Sequence, residues 1–513
     1  MKKSALLAAL LLTACASLPE PDSEPLHWRP GSSVFGPASD FIGSPFPEVG
    51  TSALFPVRPA KANRIAILRN GDDAFAARVR SLEQADTSIR IQALIFSGDE
   101  SGLYIAELLK RKKQAGLDVR VIVDAFSNPS LQTQRLYFDL KQWGIEVEGY
   151  EAMLLQWLNE IPIPFLMPHY DPGRLDKRFH EKMWIVDGET DHGVAITGGL
   201  NVGNEYFRID PKHPGGYWRD QDVIAKGAVV KDMTEAFDRN FRYFTQIKKS
   251  RGILNTNLYW SATRGLLDKT GRFAFHYDTR PRLVARVKEL AARRIQPDYH
   301  PARARFFQSR PRFRESYIEQ AYLQLIHAAK KEVLIANAYF VPSVPIIDAL
   351  SDAARRCVRI TLISNSPGTN DLPEITLVGR GYYKTLLAVN QEPRVQRCGH
   401  RHAGLRIFEW VGHTPDGKAP REGTMHSKYA VFDRRISLVG SFNLDPRSAR
   451  LNSESALVFE SPMLARQLAH LFESNDLPKS EPVSDEKACD FERPADALQS
   501  LRKSFGQLFE KEL

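Results

Sequence analysis

Cysteine is scarce in this chain, with four among 513 residues. Their spacing, at Cys15, Cys357, Cys398 and Cys489, suggests no metal site. Long apolar runs are also missing. Beyond the first dozen residues, no stretch is long and apolar enough for a transmembrane helix. The stretch Met153–Pro168 is more apolar than a loop requires, and serves either as core or as a lining for acyl chains. An excess of acid is lacking too: 61 Asp and Glu against 70 Lys and Arg give a net charge of +9. That balance favours anionic partners, whether phospholipid surfaces, nucleic acids or phosphate-bearing substrates, without choosing among them.

What is present begins with the leader. Lys2 and Lys3 precede an apolar run from Ala5 to Leu12, which reads as a secretory signal. It ends Leu12-Thr13-Ala14-Cys15, similar to a bacterial lipobox, so Cys15 is the expected lipidation site. Acyl chains there would anchor the protein, each buried methylene adding about 0.8 kcal/mol. The expected location is the bacterial cell envelope, as a membrane-anchored lipoprotein. An exported chain also allows a Cys398–Cys489 disulfide. Cys357, at the head of the strand-like CVRITLIS, reads as simply buried.

The organised chain repeats itself. Helical periodicity at Phe75–Ala85 is followed by strand-like Ile89–Phe96, a helix at Leu103–Ala115 and a strand at Val119–Asp124. The same order recurs at Tyr317–Ala329, Val333–Phe340, Ile346–Arg356 and Val358–Ser364. This is a duplicated α/β unit. The expected divisions are a signal peptide (1–14), a flexible tether (15–62), a first half (63–248), a linker (249–314), a second half (315–475) and a polar tail (476–513).

Each half carries the pattern His-x-Lys-x-x-x-x-Asp on a short apolar strand. The first copy is His180, Lys182 and Asp187; the second is His426, Lys428 and Asp433. Both are followed by a Gly-x-x-Asn turn, GGLN ending at Asn201 and GSFN ending at Asn443. Alternation along a strand puts the His and the Lys on one face, as a phosphate site needs. A His from each half suits double displacement at phosphorus, one imidazole attacking and the other passing protons. The two lysines would neutralise phosphate oxygens, and Asn201 and Asn443 would add hydrogen bonds, with Gly199 and Ser441 in the same turns. Two ammonium groups can do the work of a cation, so neither metal nor cofactor is expected. Each His needs an orienting carboxylate. Asp220 and Glu454 are the candidates, with Asp222 as a rival in the first half. Asp187 and Asp433 complete the motif, but their place at strand ends suits a structural role.

These residues resemble the phospholipase D superfamily, whose hallmark is this motif in duplicate. The resemblance covers about residues 63 to 475, and the flanks WRDQDV and VGSFNLDPRSARLNSE are most similar to bacterial cardiolipin synthases of the C-type subgroup. It implies an α/β fold of two similar α/β/α halves packed around a pseudo-twofold axis, with one shared active site. It also implies phosphatidyl transfer through a phosphohistidine, with His180 as nucleophile and His426 as acid and base. Hydrolysis by the same chemistry stays open, and a nuclease is less favoured by a duplicated chain with a lipid anchor. Expected partners are an anionic phospholipid membrane, a phospholipid donor, and an alcohol or phospholipid acceptor. Nucleic acid is not expected, and the protein should be a monomer with an internal pseudo-dimer. The halves differ in two ways: the first has a longer hairpin after Asp187, and Gly199 where the second has Ser441.

Overall fold

The computed structural model describes residues 55–124, 127–150, 178–211, 216–250, 275–311, 315–398 and 404–491. The expected signal peptide, Cys15, most of the tether and the stretch Met153–Pro168 lie outside them. The first half runs β1 (Asn63–Leu68), α1 (Gly71–Gln84), β2 (Ser88–Ala93), α2 (Glu100–Gln114), β3 (Asp118–Asp124), α3 (Leu131–Gln142) and β4 (Glu146–Tyr150). It continues with β5 (Met183–Val186), β6 (Val194–Gly198), β7 (Tyr217–Arg219), β8 (Asp222–Gly227) and α4 (Ala228–Ser250). After α5 (Pro281–Ala292) and β9 (His300–Pro301) comes β10 (Arg303–Ser309), then α6 (Tyr317–Ala328), β11 (Glu332–Asn337), α7 (Val344–Arg355), β12 (Arg359–Asn365), α8 (Pro373–Gly379) and β13 (Gly404–Trp410). The chain ends through β14 (Glu422–Met425), β15 (Lys428–Phe432), β16 (Ile436–Gly440), α9 (Pro446–Arg450), β17 (Glu454–Glu460), α10 (Pro462–Leu471) and β18 (Ser480–Pro482).

The two large sheets have the orders β4-β3-β2-β5-β6-β8-β1-β9 and β10-β17-β16-β15-β11-β12-β13-β18. Without the edge strands β9 and β18, the second is the first read backwards, element for element. Helix ends follow local chemistry. Asn70 caps α1 by accepting from the Asp73 N–H, and Asp99 caps α2 through the Ser101 and Gly102 N–H groups. Strands β2 and β11 are buried along their whole length. Helices cover the outer face of each sheet, and the inner faces meet in one core with Ile185 and Val223 from the first half, Leu334 and Leu457 from the second, and side chains of α4 and α10. Each such side chain, fully buried, stabilises the assembly by roughly 1.5–3 kcal/mol.

This architecture dictates where chemistry can sit. In each half three strands are parallel, β2-β3-β4 and β11-β12-β13, and the motif strands β5 and β15 run antiparallel to them. The first residues of β5 and β15 therefore lie at the carboxyl ends of parallel strands. Open α/β sheets bind ligands at those ends.

Four expectations need correction. Residues 55–62 are not tether: Phe55 is buried beside Phe307 and Tyr317, and Arg58 pairs with Asp232 at 2.5 Å. The stretch 249–314 is not only a link, because Arg303–Ser309 forms β10 and pairs with β17 along its whole length. Its arginines mask the strand in sequence. Arg305 is buried, bonded to the Phe55 carbonyl and lying 5.4 Å over the Phe307 ring. The polar tail is also structured at its start, where β18 joins β13 and Asp476 is buried against Arg219. Finally, the disulfide joins Cys357 to Cys398, and Cys489 is free and exposed. Cys357 lies not in a strand but in a left-handed turn after α7, at φ 66°, which carries its side chain out of the sheet core.

The bridge closes a loop over a sequence separation of 41. Replacing Cys357 with Ser should cost about 2–4 kcal/mol in urea denaturation, while Cys489→Ser should cost nothing measurable. Equal stability of Cys357→Ser and the wild type would show that the bridge does not form.

Candidate active site

The two histidines come together because each motif strand crosses to the other half just before it begins. The His180 N–H donates to the Ser453 carbonyl at 2.9 Å, and the Ser453 N–H donates to the Arg178 carbonyl at 2.8 Å. In the mirror crossing, β14 pairs in parallel with β7, and the His426 N–H donates to the Arg219 carbonyl at 2.7 Å. The residue after each crossing point is an acid. Glu454 follows Ser453 and lies 2.9 Å from His180 Nδ1 through both carboxylate oxygens. Asp220 follows Arg219 and lies 2.8 Å from His426 Nδ1. Each half thus supplies the carboxylate that orients the other half's histidine. Lys182 stands just before β5 and Lys428 opens β15, and each ammonium donates to the carbonyl of its own histidine, at 2.7 Å for Lys182. All six side chains are buried.

Burial sets the electrostatics. It pushes both imidazoles well below their ordinary range, and the two lysines push the same way. It lifts Glu454 to about 7 and Asp220 to about 6 against the attraction of those lysines. It pulls Lys182 down to about 7 and Lys428 to about 8. For a ring that attacks, the state that satisfies these constraints is a neutral imidazole donating Nδ1–H to a carboxylate with Nε2 free, whereas a ring that gives up a proton must also carry one on Nε2. Hydroxyls of Ser441 and, at 2.8 Å, Ser448 donate to Glu454 and favour its ionised form. A phosphodiester between the two ammonium groups would restore their charge, since a close anion favours the protonated form.

The turns after β6 and β16 make the halves unequal. The Ser441 N–H donates to the Ser455 carbonyl at 2.9 Å, and its hydroxyl reaches Glu454. In the first half, Gly199 donates to Gln221 at 3.2 Å, but a Cβ there would stand 2.1 Å from Asp220 Oδ1. The Asp side chain is one methylene shorter, so its carboxylate lies close to the turn backbone and leaves no room for a serine. Gly199→Ser should displace Asp220 from His426 and lower kcat at least 100-fold with the fold retained. Ser441→Ala, which removes one donor from Glu454, should cost roughly tenfold, about 1.4 kcal/mol. Steady-state kinetics with circular dichroism would check both, and full activity in Gly199→Ser would refute the packing argument.

Other expected residues have different places. Asp222 pairs with Arg78 at 2.7 Å and orients no histidine. Asn201 accepts the Ile95 N–H at 3.2 Å, whereas the buried Oδ1 of Asn443 has no partner among the described residues. Asp187 and Asp433, grouped with the catalytic residues in the sequence motif, sit at the far ends of β5 and β15 in left-handed turns, at φ 51° and 53°. Asp187 accepts the N–H groups of Asp86, Thr87 and Ser88; Asp433 accepts those of Lys330, Lys331 and Glu332. They fasten the turn before β2 and β11, and neither reaches the histidines. Asp187→Ala should therefore destabilise the protein by roughly 2–4 kcal/mol. The folded fraction should keep its kcat within a few-fold, and a 1,000-fold loss in fully folded protein would contradict this placement.

Several residues escaped the sequence reading. Tyr206 and Trp218 pack on His426 with ring centroids 5.5 and 5.3 Å away. Arg219 pairs with Asp476 at 2.7 Å beneath the second crossing. Glu181, between His180 and Lys182, points to the opposite face and accepts from Gln92, Asn240 and Gln308, the last from the second half. Glu181 had a signal in the sequence, an acid set between the motif's His and Lys ahead of an apolar strand, and Trp218 and Arg219 lie in the flank WRDQDV.

A family model described as "Cardiolipin synthase, PLD-like domain" matches residues 79–239 and 322–475, more than half of the chain. The chain is 26% identical over 393 residues to a cardiolipin synthase of Geobacillus thermodenitrificans, covering 77% of this chain and 62% of that protein, so it spans under two thirds of that relative. It is 26% identical over 429 residues to cardiolipin synthase A of Pseudomonas fluorescens, covering 83% and 71%. An uncharacterized Helicobacter pylori protein is 24% identical over 426 residues, covering 78% and 77%. Among solved structures, phosphatidylserine synthase of Haemophilus influenzae superposes with a TM-score of 0.60 at 16% identity, covering 90% of this chain and 97% of that one. That likeness establishes a shared fold of two similar halves.

Proposed function

The chain belongs to the cardiolipin synthase family of phospholipase D-like proteins, and from that premise we propose that it transfers a phosphatidyl group from a phospholipid donor to an alcohol or phospholipid acceptor, with cardiolipin as the expected product. The observation that carries this reading is the crossed pair of carboxylate–histidine contacts around two buried lysines. In the first step Nε2 of His180 attacks phosphorus. The bond from phosphorus to the departing headgroup oxygen breaks, and that oxygen takes a proton from His426. In the second step the acceptor hydroxyl gives its proton to His426 and attacks phosphorus, and the bond to His180 breaks. Lys182 and Lys428 balance the charge on the non-bridging oxygens throughout. Glu454 and Asp220 hold each ring through Nδ1–H so that Nε2 faces phosphorus, unprotonated on His180 and protonated on His426 when the first step begins.

The same reading places the protein at an anionic membrane surface, with acyl chains on Cys15 as the anchor. Among the described residues no helix is long and apolar enough to cross a membrane. A net charge of +9 suits an anionic surface.

Purified full-length protein should convert phosphatidylglycerol vesicles, alone or with phosphatidylethanolamine, to cardiolipin detectable by mass spectrometry. Phosphatidic acid as the sole product would replace transfer by hydrolysis, and cleavage of DNA without lipid turnover would sink both. His180→Ala and His426→Ala should each lower turnover by at least 1,000-fold. Substantial residual activity in either would break the shared-site mechanism.

A further inference from the structure

The two crossings are held down differently. The residue before each orienting acid offers its carbonyl to the opposite histidine's N–H: Ser453 before Glu454, and Arg219 before Asp220. Arg219 Nε and Nη2 donate to the two carboxylate oxygens of Asp476, at 2.7 and 3.1 Å. The same carboxylate accepts the Tyr429 hydroxyl at 2.7 Å and the Asn475 amide at 2.8 Å. Tyr429 follows Lys428 on β15. One carboxylate thus ties the residue before Asp220 to the residue after Lys428, and Arg219, Asp476 and Tyr429 are all fully buried. Asp476 ends a single π-helical turn, Phe472–Asp476, that follows α10, and the Phe472 ring meets Tyr429 edge-on with centroids 6.4 Å apart. Such turns are rare and recur at functional sites. At the matched positions the first half has Ser453 and Met183, neither of which carries a charge. There Glu181 is held instead by the amides of Gln92, Asn240 and Gln308.

Resting on the transfer reading above, we propose that Asp476 is a positioning residue for His426: by clamping Arg219 and Tyr429 it fixes the Asp220–His426 pair and Lys428 for the proton transfers of both steps. The contacts form an unbroken chain. The Arg219 carbonyl accepts the His426 N–H at 2.7 Å and the Ser427 hydroxyl at 3.3 Å, so the Arg219 backbone sets where the histidine starts. The next side chain, Asp220, meets His426 Nδ1 at 2.8 Å. A guanidinium bound by two parallel hydrogen bonds has one orientation, and Arg219 Nη1 also donates to the Asp220 carbonyl. The peptide that carries the orienting acid is thereby fixed from its side-chain end. A buried ion pair of this kind adds little stability, because desolvation offsets most of the attraction, and its best-attested use is to set register. The need for it falls on one histidine. Once His180 has attacked, its bond to phosphorus holds it in place. His426 bonds to phosphorus in neither step, yet must give a proton to one oxygen and take one from another. Asp476 touches no reacting atom and acts through Arg219 and Tyr429.

The test compares phosphatidylglycerol with phosphatidyl-p-nitrophenol, both in vesicles, on the full-length protein. Nitrophenolate leaves without a proton, so the first step on that ester does not need His426, whereas the second step does. Asp476→Asn should lower kcat on phosphatidylglycerol by roughly 30- to 100-fold, the cost of a misplaced reacting group, with KM little changed. On the nitrophenyl ester its single-turnover release of nitrophenolate should stay within about threefold of the wild-type rate, followed by a slowed steady state. The phosphatidyl adduct on His180 should then accumulate and be visible by intact-protein mass spectrometry. His426→Ala should show the same split more strongly, and His180→Ala should release no burst. Asp476→Asn leaves the Arg219 charge buried without its counterion. Two further variants are therefore measured beside it, with folding followed by circular dichroism: Arg219→Gln with Asp476→Asn, which removes both charges, and Tyr429→Phe, which removes one hydrogen bond. The double variant should reproduce the split, and Tyr429→Phe should give a smaller loss of the same kind. Equal losses in the burst and the steady state, or full activity in the folded double variant, would overturn the role of Asp476 alone. A wild type that releases no nitrophenolate and turns over no lipid would overturn the transfer reading and this proposal with it.

Discussion

Everything in this molecule is arranged around two hydrogen bonds that run between its halves. His180 depends on Glu454, and His426 depends on Asp220. An imidazole that must attack or pass protons needs a fixed tautomer, and here neither half contains the carboxylate that would fix its own. The duplication is therefore not redundancy. The crossings at Phe179–Ser453 and β7–β14 both join the halves and deliver the acids. The apolar core between the two sheets has to hold those crossings in register, because a slip of one residue would turn each acid to the wrong face.

Burial makes those contacts consequential. Three ionisable groups from each half, the orienting acid, the histidine and the lysine, share a buried space that water would otherwise screen. Burying cations without a partner is costly, and the proximity of Lys182 and Lys428 compounds it. The arrangement makes sense for a protein whose ligand is an anion: charge that is unfavourable alone becomes favourable when a phosphodiester lies between the ammonium groups.

Symmetry in the backbone coexists with asymmetry in side chains. The one-methylene difference between Asp220 and Glu454 is matched by Gly199 against Ser441, so each turn fits the carboxylate it faces. The same turns then diverge to Tyr206 beside His426 and Ser448 beside Glu454. Two copies of one unit can thus carry different halves of a reaction without altering the strands that position them.

The sequence by itself determined the duplicated α/β organisation and picked out the histidines and lysines that the fold gathers at one place. Both rest on short-range regularities: period-2 alternation places His180 with Lys182 and His426 with Lys428, and the helix–strand order recurs at matching places. Asp220 and Glu454 were also legible as orienting acids, since each begins or precedes a strand after its motif. Which acid serves which histidine was not, because the partners stand 274 and 206 residues apart and only the packing of the two sheets brings them together. Tertiary structure likewise decided that Cys357 bonds Cys398, that Asp187 and Asp433 fasten turns away from the site, and that Arg305 belongs to a strand. In each case the deciding neighbour is remote in the chain, and local pattern carries no information about it.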